Sequence, residues 1–231
     1  MMSYTYIGSE LELFHEAKNW KDYYYQMIRR YLGEEVLEVG AGIGGTTRVL
    51  CRRSHSRWVC LEPDPTLIKA LKAEPDLPKA CEIRQGSLVD LPSEECFDAI
   101  LYIDVLEHIK DDRAEVQRTV AHLKPGGFLI VLAPAHQWLF SPFDRSIGHY
   151  RRYNQSMLRK LTPSGLTVTR LLYLDSVGLL ASSSNQFLKQ RMPTPGQIKL
   201  WDSWMVPISK VLDPILRYAI GKSVLGVWRK E

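Results

Sequence analysis

A glycine cluster, two carboxylates beside it and two downstream histidines are the residues of this 231-residue chain best placed to do chemistry. Gly40, Gly42 and Gly45 have the spacing G-x-G-x-x-G, after the apolar run 36–39 and before a stretch, 46–51, that reads as a helix. Glycine allows a tight turn and a close approach to a ligand, and N–H groups at a helix start favour an anion, so a phosphate and a carboxylate suit the loop equally. The same spacing serves dinucleotides, and a plain strand-to-helix turn. Glu38 lies inside the apolar run, where an unpaired charge is expensive; a cationic ligand group such as an amino group accounts for it, a salt bridge to a core arginine being the alternative. Glu62 stands about 20 residues past the loop, where a carboxylate accepts hydrogen bonds from ribose hydroxyls. The three features together point to a nucleoside.

His108 follows the apolar run 97–103, and His149 lies in D-R-S-I-G-H-Y-R-R-Y at 144–153. A positioned histidine that takes a proton from an attacking group contributes typically ~10²–10⁴-fold to a rate. His149 is expected to be such a base or an acceptor ligand, while His108 reads first as a histidine that orders its loop and only second as a base. Arg151 or Arg152 suits an anionic group on an acceptor, because guanidinium binds carboxylate or phosphate in two-pronged fashion. Trp138, Phe140, Tyr150 and Tyr153 are expected as apolar walls. The plainer alternative pairs Asp144 with an arginine and makes His149 a turn cap. Asp111 and Asp112 have no ligands clustered with them, so they read as a solvated cap and no metal site is expected.

The elements that must position these residues alternate. Runs 36–39, 57–61, 81–84, 97–103 and 128–132 read as strands separated by helix-length segments, which predicts a parallel sheet flanked by helices. Runs 166–174 and 223–229 add two strands. Ser9 with Glu12 has capping-box spacing, and Leu13, Trp20, Tyr24, Met27, Ile28 and Tyr31 recur at helical intervals up to Gly33, predicting one amphipathic helix. Between the last two strands, Trp204, Ile208, Val211, Leu212, Ile215, Leu216 and Ala219 are helically spaced, with Pro207 and Pro214 dividing the segment into two helices. The expectation is an α/β, Rossmann-like, seven-stranded, mostly parallel sheet with helices on both faces. It comprises a helical cap at 1–33, a core at 34–174, a helical insertion at 175–222 and a final strand at 223–231 in one domain.

The motifs resemble those of class I methyltransferases dependent on S-adenosylmethionine. E-V-G-A-G-I-G-G at 38–45, L-E-P-D at 61–64, G-S-L-V-D-L-P at 86–92, F-D-A-I-L-Y-I-D-V-L-E-H-I at 97–109 and L-K-P-G-G at 123–127 fall in that family's order and cover most of the chain. The resemblance implies that Glu38, Gly40 and Gly42 surround the methionine part, that Glu62 holds the ribose, and that Pro63, Ser87 and Leu88 border the adenine. Ser87 departs from the family's usual acidic residue, and backbone contacts are expected in its place. Ile103, Asp104 and His108 are implied near the donor, and Trp20 and Tyr24 over it, unless that aromatic stripe is simple core packing. The G-H-Y-R-R-Y stretch is similar to bacterial enzymes acting on small metabolites, lipids or glycoconjugates. The implied reaction moves a methyl group from S-adenosylmethionine, leaving S-adenosylhomocysteine, to an oxygen or nitrogen of a small molecule, carbon being less expected.

D-V-L-E-H and L-K-P-G-G weigh against the alternative, a nicotinamide-dependent oxidoreductase, as does the lack of a Tyr-x-x-x-Lys; a binding module without turnover is the other alternative. The net charge of +4 is mild, with no basic tail or stripe, so nucleic acid is not an expected partner. Cys51, Cys60, Cys81 and Cys96 form no C-x-x-C pair and the start lacks a signal-like run, which fits the cytoplasm. No stretch reaches roughly 18 apolar residues, so no transmembrane span is expected, while contact with a membrane surface stays open. The apolar face between Trp204 and Ala219 reads most simply as packing over the sheet, with a lid, a dimer surface or a membrane contact as alternatives; monomer and homodimer both fit.

Overall fold

The computed structural model describes residues 10–188 and 193–231. Strands β1 (Glu35–Val39), β2 (Arg57–Glu62), β3 (Cys81–Gln85), β4 (Phe97–Ile103), β5 (Leu123–Pro134), β6 (Leu166–Leu174) and β7 (Ser223–Lys230) form one sheet in the order β3-β2-β1-β4-β5-β7-β6. β1 to β5 are parallel, and β7 runs antiparallel between β5 and β6. This is the seven-stranded, Rossmann-like arrangement that the alternation predicts. Helices α1 (Glu10–His15) and α2 (Lys18–Ile28) precede the sheet, while α3 (Thr47–Leu50), α4 (Pro65–Ala73) and α5 (Asp112–Thr119) lie on the crossovers between parallel strands. α6 (Pro142–Ser146) and α7 (Gln155–Lys160) connect β5 to β6, and α8 (Ser176–Leu188), α9 (Pro195–Leu200) and α10 (Val206–Ile215) connect β6 to β7.

The central strands are apolar throughout because both of their faces are covered. Val36, Trp58, Cys60, Ala99 and Leu101 enter one buried layer, and Leu37, Val39, Val59, Leu61, Ile100 and Tyr102 enter the other. The period of two along β1 directs Glu38 into the first layer, at 2% exposure. β5 starts earlier than the run at 128–132: Phe97 pairs with Leu123, then Ala99 pairs with Phe128, so residues 124–127 bulge. A Cβ on Gly127 would stand 2.9 to 3.1 Å from three carbonyl oxygens, which is why the L-K-P-G-G segment ends in glycine there.

The helix expected across the N-terminal segment is two helices, and its Ser9 cap lies outside the described residues. Ala17 leaves helical geometry at ψ 70°, and Lys21 turns back so that its Nζ donates to the carbonyls of Phe14 and His15 at the end of α1. An ammonium on those last carbonyls satisfies acceptors that a helix end leaves open, so the break caps itself. The insertion departs in the opposite sense. α9 continues through a π-helical stretch, Trp201–Met205, into α10 without a break, because Pro207 occupies the first turn of α10 and Pro214 its last. Its apolar stripe does not pack over the sheet: Trp204, Val211 and Ile215 are 68%, 64% and 71% exposed, while Val206, Ser209 and Asp213 face inward. Among the described residues, no helix is long and apolar enough to cross a membrane.

Buried carboxylates fasten the N-terminal helices and the insertion to the sheet. Asp202 accepts from the backbone of Trp20 at 2.8 Å and of Asn19 at 3.2 Å. Asp213 accepts from Tyr23 Oη at 2.7 Å and from the backbone N–H groups of Asp175 and Ser176, at the end of β6. Asp175 in turn accepts from Trp201 Nε1 at 2.7 Å and Ser209 Oγ at 2.8 Å. Asp213→Ala strands three buried donors, each left-over group costing about 1–3 kcal/mol. Urea unfolding is expected to show a loss of about 3 kcal/mol or more, and a midpoint equal to wild type would mean that the fastening is dispensable.

Candidate active site

The strand order reverses between β1 and β4, so the loops leaving these neighbouring strands part to opposite faces and open a crevice at their carboxyl ends. The glycine turn enters it from β1. Gly40 has φ +69° and a Cβ there would stand 2.7 Å from Val105 Cγ2, so glycine is what lets the β1 loop close against the β4 loop. On the β4 side Asp104 holds φ +55°, rare for a side-chain-bearing residue, with its N–H on the Leu132 carbonyl at 2.8 Å.

A cavity of about 750 Å³ occupies the crevice. It is lined by Gly40, Gly42, Ile103, Asp104 and His108 of the expected donor site, by Trp20 and Tyr24, by Phe140, His149 and Arg152 of the expected acceptor side, and by Glu107 and Asp144. Trp20 and Tyr24 are thus both buried packing and cavity wall; Tyr24 Oη is 3.3 Å from Thr46 Oγ1, against the glycine loop. Phe14 meets Trp201 edge-on at 6.0 Å and Trp20 meets it tilted at 5.8 Å, so the N-terminal helices and the insertion share one wall.

Several expected residues lie elsewhere. Glu38 does not line the cavity: its Oε2 accepts from Thr47 Oγ1 at 2.7 Å and Trp58 Nε1 at 2.8 Å, so neutral internal donors stand where a ligand cation or an arginine was expected. Burial pushes its carboxyl up to about 7 against those two hydrogen bonds. Glu62, Pro63, Ser87 and Leu88 are also outside the enclosed space. Glu62 accepts from the N–H groups of Gly42 at 2.9 Å and Asp64 at 3.0 Å, bracing the glycine turn from β2. Ser87 Oγ donates to Asp90 at 2.9 Å and caps the turn Leu88–Asp90, a role that S-x-x-D spacing already carries.

The segment from Ser141 to Tyr153 is stitched to the turn after β4, which explains why four expected acceptor contacts face away from the cavity. Arg151 spends its guanidinium on the carbonyls of Ile109 and Lys110 and on Asp112 at 2.5 Å. Tyr153 is fully buried with Oη on Asp112 at 2.8 Å, so Asp112 is a structural acceptor while Asp111 caps α5 through Ala114 N–H. Tyr150 and Trp138 point outward, 53% and 57% exposed. Arg152 reaches the cavity but grips Asp144 with two prongs, Nε to Oδ1 at 2.8 Å and Nη2 to Oδ2 at 3.0 Å, so it is not available as the anion clamp expected of it.

His149 is the product of that stitching. Its Nδ1 lies 2.9 Å from Asp144 Oδ1. Burial opposes ionisation of Asp144, but hydrogen bonds from His149 and Arg152 outweigh it and hold the carboxyl well below its usual range. Against an ionised carboxylate Nδ1 must carry the proton, which turns Nε2 inward, 3.8 Å from Glu107 Oε1. His108 stands edge-on at 4.5 Å between ring centres; burial and the neighbouring His149 push it down to about 3. Glu107 is fully buried and neither carboxyl oxygen has a hydrogen-bond partner; burial, with the Asp104 charge nearby, raises it well above the carboxylate range. Sequence reasoning assigned Glu107 no role, although a glutamate beside the histidine of D-V-L-E-H was the available signal.

Residues 37–131 match the family model described as a methyltransferase domain. Residues 37–131, less than half of the chain, thus carry a methyltransferase domain. The chain is 30% identical over 154 residues to a demethylmenaquinone methyltransferase of Tropheryma whipplei (strain Twist), covering 65% of this chain and 62% of that protein. It is 29% identical over 110 residues to a ubiquinone biosynthesis O-methyltransferase of Rhodopseudomonas palustris (strain TIE-1), covering 46% and 42%. The chain therefore spans less than two thirds of the length of these curated relatives. Among solved structures it shares its fold with the N-methyltransferase NodS from Bradyrhizobium japonicum WM9 in complex with S-adenosylhomocysteine, at 15% identity, a TM-score of 0.59, and 94% and 87% coverage of the two chains.

Glu38 yields a test independent of turnover. Its proton is retained in the folded state up to about pH 7 and released by the unfolded chain near 4.5, so the stability it contributes is complete below 4.5 and is lost as pH rises through that window. Glu38→Gln stays neutral and keeps an acceptor for Thr47 and Trp58. Urea unfolding across the window is expected to show the variant gaining about 3 kcal/mol relative to wild type, and a constant difference would rule out a buried, neutral Glu38.

Proposed function

We propose that this protein transfers the methyl group of S-adenosylmethionine to an oxygen or nitrogen nucleophile of a small-molecule acceptor, carbon being the less favoured atom. What carries the reading is the single cavity that joins the glycine turn at Gly40 and Gly42 to the polar cluster of Glu107, His108 and His149. The methionine half of the donor lies over the glycine turn beside Ile103 and Asp104. Its adenosine half runs outward across the ends of β2 and β3 towards Glu62, Pro63, Ser87 and Leu88. The N-terminal helices and the insertion form a lid through Trp20, Tyr24 and Trp201.

The nucleophile attacks the methyl carbon in line with the departing sulfur; a bond from the acceptor atom to carbon forms, the carbon–sulfur bond breaks, and S-adenosylhomocysteine leaves uncharged. The donor is activated by its own positive charge, so holding the two reactants in line supplies much of the acceleration. An acceptor hydroxyl or protonated amine must also lose a proton, and that loss turns on His149 Nε2, aimed inward by Asp144. Phe14, Leu139, Phe140, Ile198 and Trp201 give the cavity an apolar body, suited to an acceptor that is largely apolar around one polar nucleophile, of the lipid-like or aromatic kind. An anionic acceptor group is less favoured, since Arg152 is committed to Asp144. The names of the relatives, which refer to demethylmenaquinone and to ubiquinone biosynthesis, support the same acceptor chemistry. We place the enzyme in the cytoplasm, where its four free cysteines remain thiols.

Titration calorimetry with S-adenosylmethionine and S-adenosylhomocysteine is expected to give one site per chain. No heat from either, with heat from a nicotinamide nucleotide, would overturn the reading in favour of an oxidoreductase. With labelled donor and a panel of hydroxyl- and amine-bearing acceptors, His149→Ala is expected to lower kcat by ~10²–10⁴-fold while donor affinity stays at the wild-type value. A rate near wild type would remove His149 from the reaction, and donor binding with no acceptor turned over would favour a binding module.

A further inference from the structure

We propose that Glu107, His108 and His149 form a binding site for one divalent transition-metal ion of the zinc class, placed to hold the acceptor's nucleophilic oxygen. One ligand atom from each of the three lies within 4.8 Å of the others, and they meet in the wall of the main cavity. Metal independence was the expectation from sequence, argued at Asp111 and Asp112; the cluster with ligand character lies instead where the turn that follows β4, with Glu107 and His108, meets His149 of the segment that follows β5.

Three observations carry the site. First, Glu107 is fully buried and both of its carboxyl oxygens lack a hydrogen-bond partner, a state that costs several kcal/mol unless a cation or donor occupies the space beside it. Second, His149 is oriented from behind in the way metal-binding imidazoles are, with Asp144 Oδ1 2.9 Å from its Nδ1. Asp144 is itself fixed by Arg152 and by Ser141 Oγ at 2.8 Å, so the support is rigid two bonds deep. Third, three protein ligands facing a cavity leave a fourth position open, the pattern of catalytic rather than structural zinc sites. Four-coordinate ligands at about 2.0–2.1 Å from a metal stand about 3.3 Å apart, so the 3.8 Å between His149 Nε2 and Glu107 Oε1 closes with a shift of about half an ångström. Two imidazoles and one carboxylate suit zinc, cobalt, nickel or ferrous iron; magnesium and calcium prefer oxygen ligands.

The consequence for catalysis rests on the proposed methyl transfer, whereas ion binding does not. With the ion held, His149 Nε2 is a ligand, and the acceptor hydroxyl takes the open position. Coordination would lower the pKa of that hydroxyl by several units, its proton would pass to solvent, and the resulting oxyanion would attack the methyl carbon as the carbon–sulfur bond breaks.

Chelator-treated, full-length protein titrated with Co²⁺ and followed in the visible region tests the site, with Zn²⁺ competition in the same cell. The expected result is one equivalent bound, an intense four-coordinate band abolished by Zn²⁺, and loss of both in Glu107→Gln and His108→Gln. Asp144→Asn, which leaves the three ligands in place, is expected to weaken binding about 10–100-fold. Circular dichroism confirms that each variant is folded. No uptake by the folded wild type, or uptake undiminished in Glu107→Gln and His108→Gln, would overturn the proposal and leave His149 a free base. Donor binding without ion uptake sinks this inference alone; ion uptake without donor binding sinks the methyl-transfer reading and leaves the site standing.

Discussion

A carboxylate withdrawn from water has to be answered by donors or by a cation, and this fold withdraws many. Glu38, Glu62, Glu107, Glu115, Asp144, Asp175, Asp202 and Asp213 are all buried. Leaving one unanswered costs more than most single packing defects, and all but Glu107 have recruited partners from other parts of the chain. Glu115 takes the Tyr102 hydroxyl at 2.8 Å and ties α5 to β4. Glu38 ties β1 to α3 and β2; Glu62 ties β2 to the glycine turn; Asp202 and Asp213 tie the N-terminal helices to the insertion. These five carboxylates brace the sheet and the elements around the cavity. Against that background Glu107 stands apart among the described buried carboxylates, since neither of its oxygens has a hydrogen-bond partner.

Its setting follows from topology. The reversal between β1 and β4 forces two loops apart and leaves their first residues facing each other, so Gly40 must accept Val105 at van der Waals contact and Asp104 must adopt φ +55° to start the turn. That turn delivers Glu107 and His108 in succession to the floor of the crevice. The chain then returns from β5 with residues 141–153, and Tyr150 N–H on the Glu107 carbonyl at 2.8 Å registers the returning segment against the same turn. Backbone strain at one loop and backbone registration at another thus bring His149 to Glu107.

The sheet was legible because its signals are local: apolar runs of strand length and a period of two survive in the sequence whatever the tertiary context. The glycine turn was legible for the same reason. What the sequence withheld was the direction of long side chains. Arg151 and Arg152 have the chemistry for an anionic acceptor, but their partners, Asp112 and Asp144, lie on other turns of the chain, and nothing local says that those contacts use up both guanidinium groups. Glu38 and Trp58 are 20 residues apart and meet only because β1 and β2 pair in parallel, Val36 opposite Trp58. The break between α1 and α2 depends on Lys21 bending back on Phe14 and His15, a tertiary choice that overrides a good helical pattern.

The division of labour among polar groups bears on selectivity. On the proposed function, with Arg152 spent on Asp144, an acceptor would be gripped chiefly by apolar surface, and apolar pockets discriminate weakly, at about 1–3 kcal/mol per methylene. Strong discrimination comes from a buried polar group that only the right ligand satisfies, because the wrong one leaves it unpaired. Glu107, with its two unanswered oxygens at the inner end of the cavity, is that group here, whether it is reached through an ion or directly. The site should therefore tolerate variation in the apolar body of its acceptor and be strict about the atom that meets the Glu107–His149 pair.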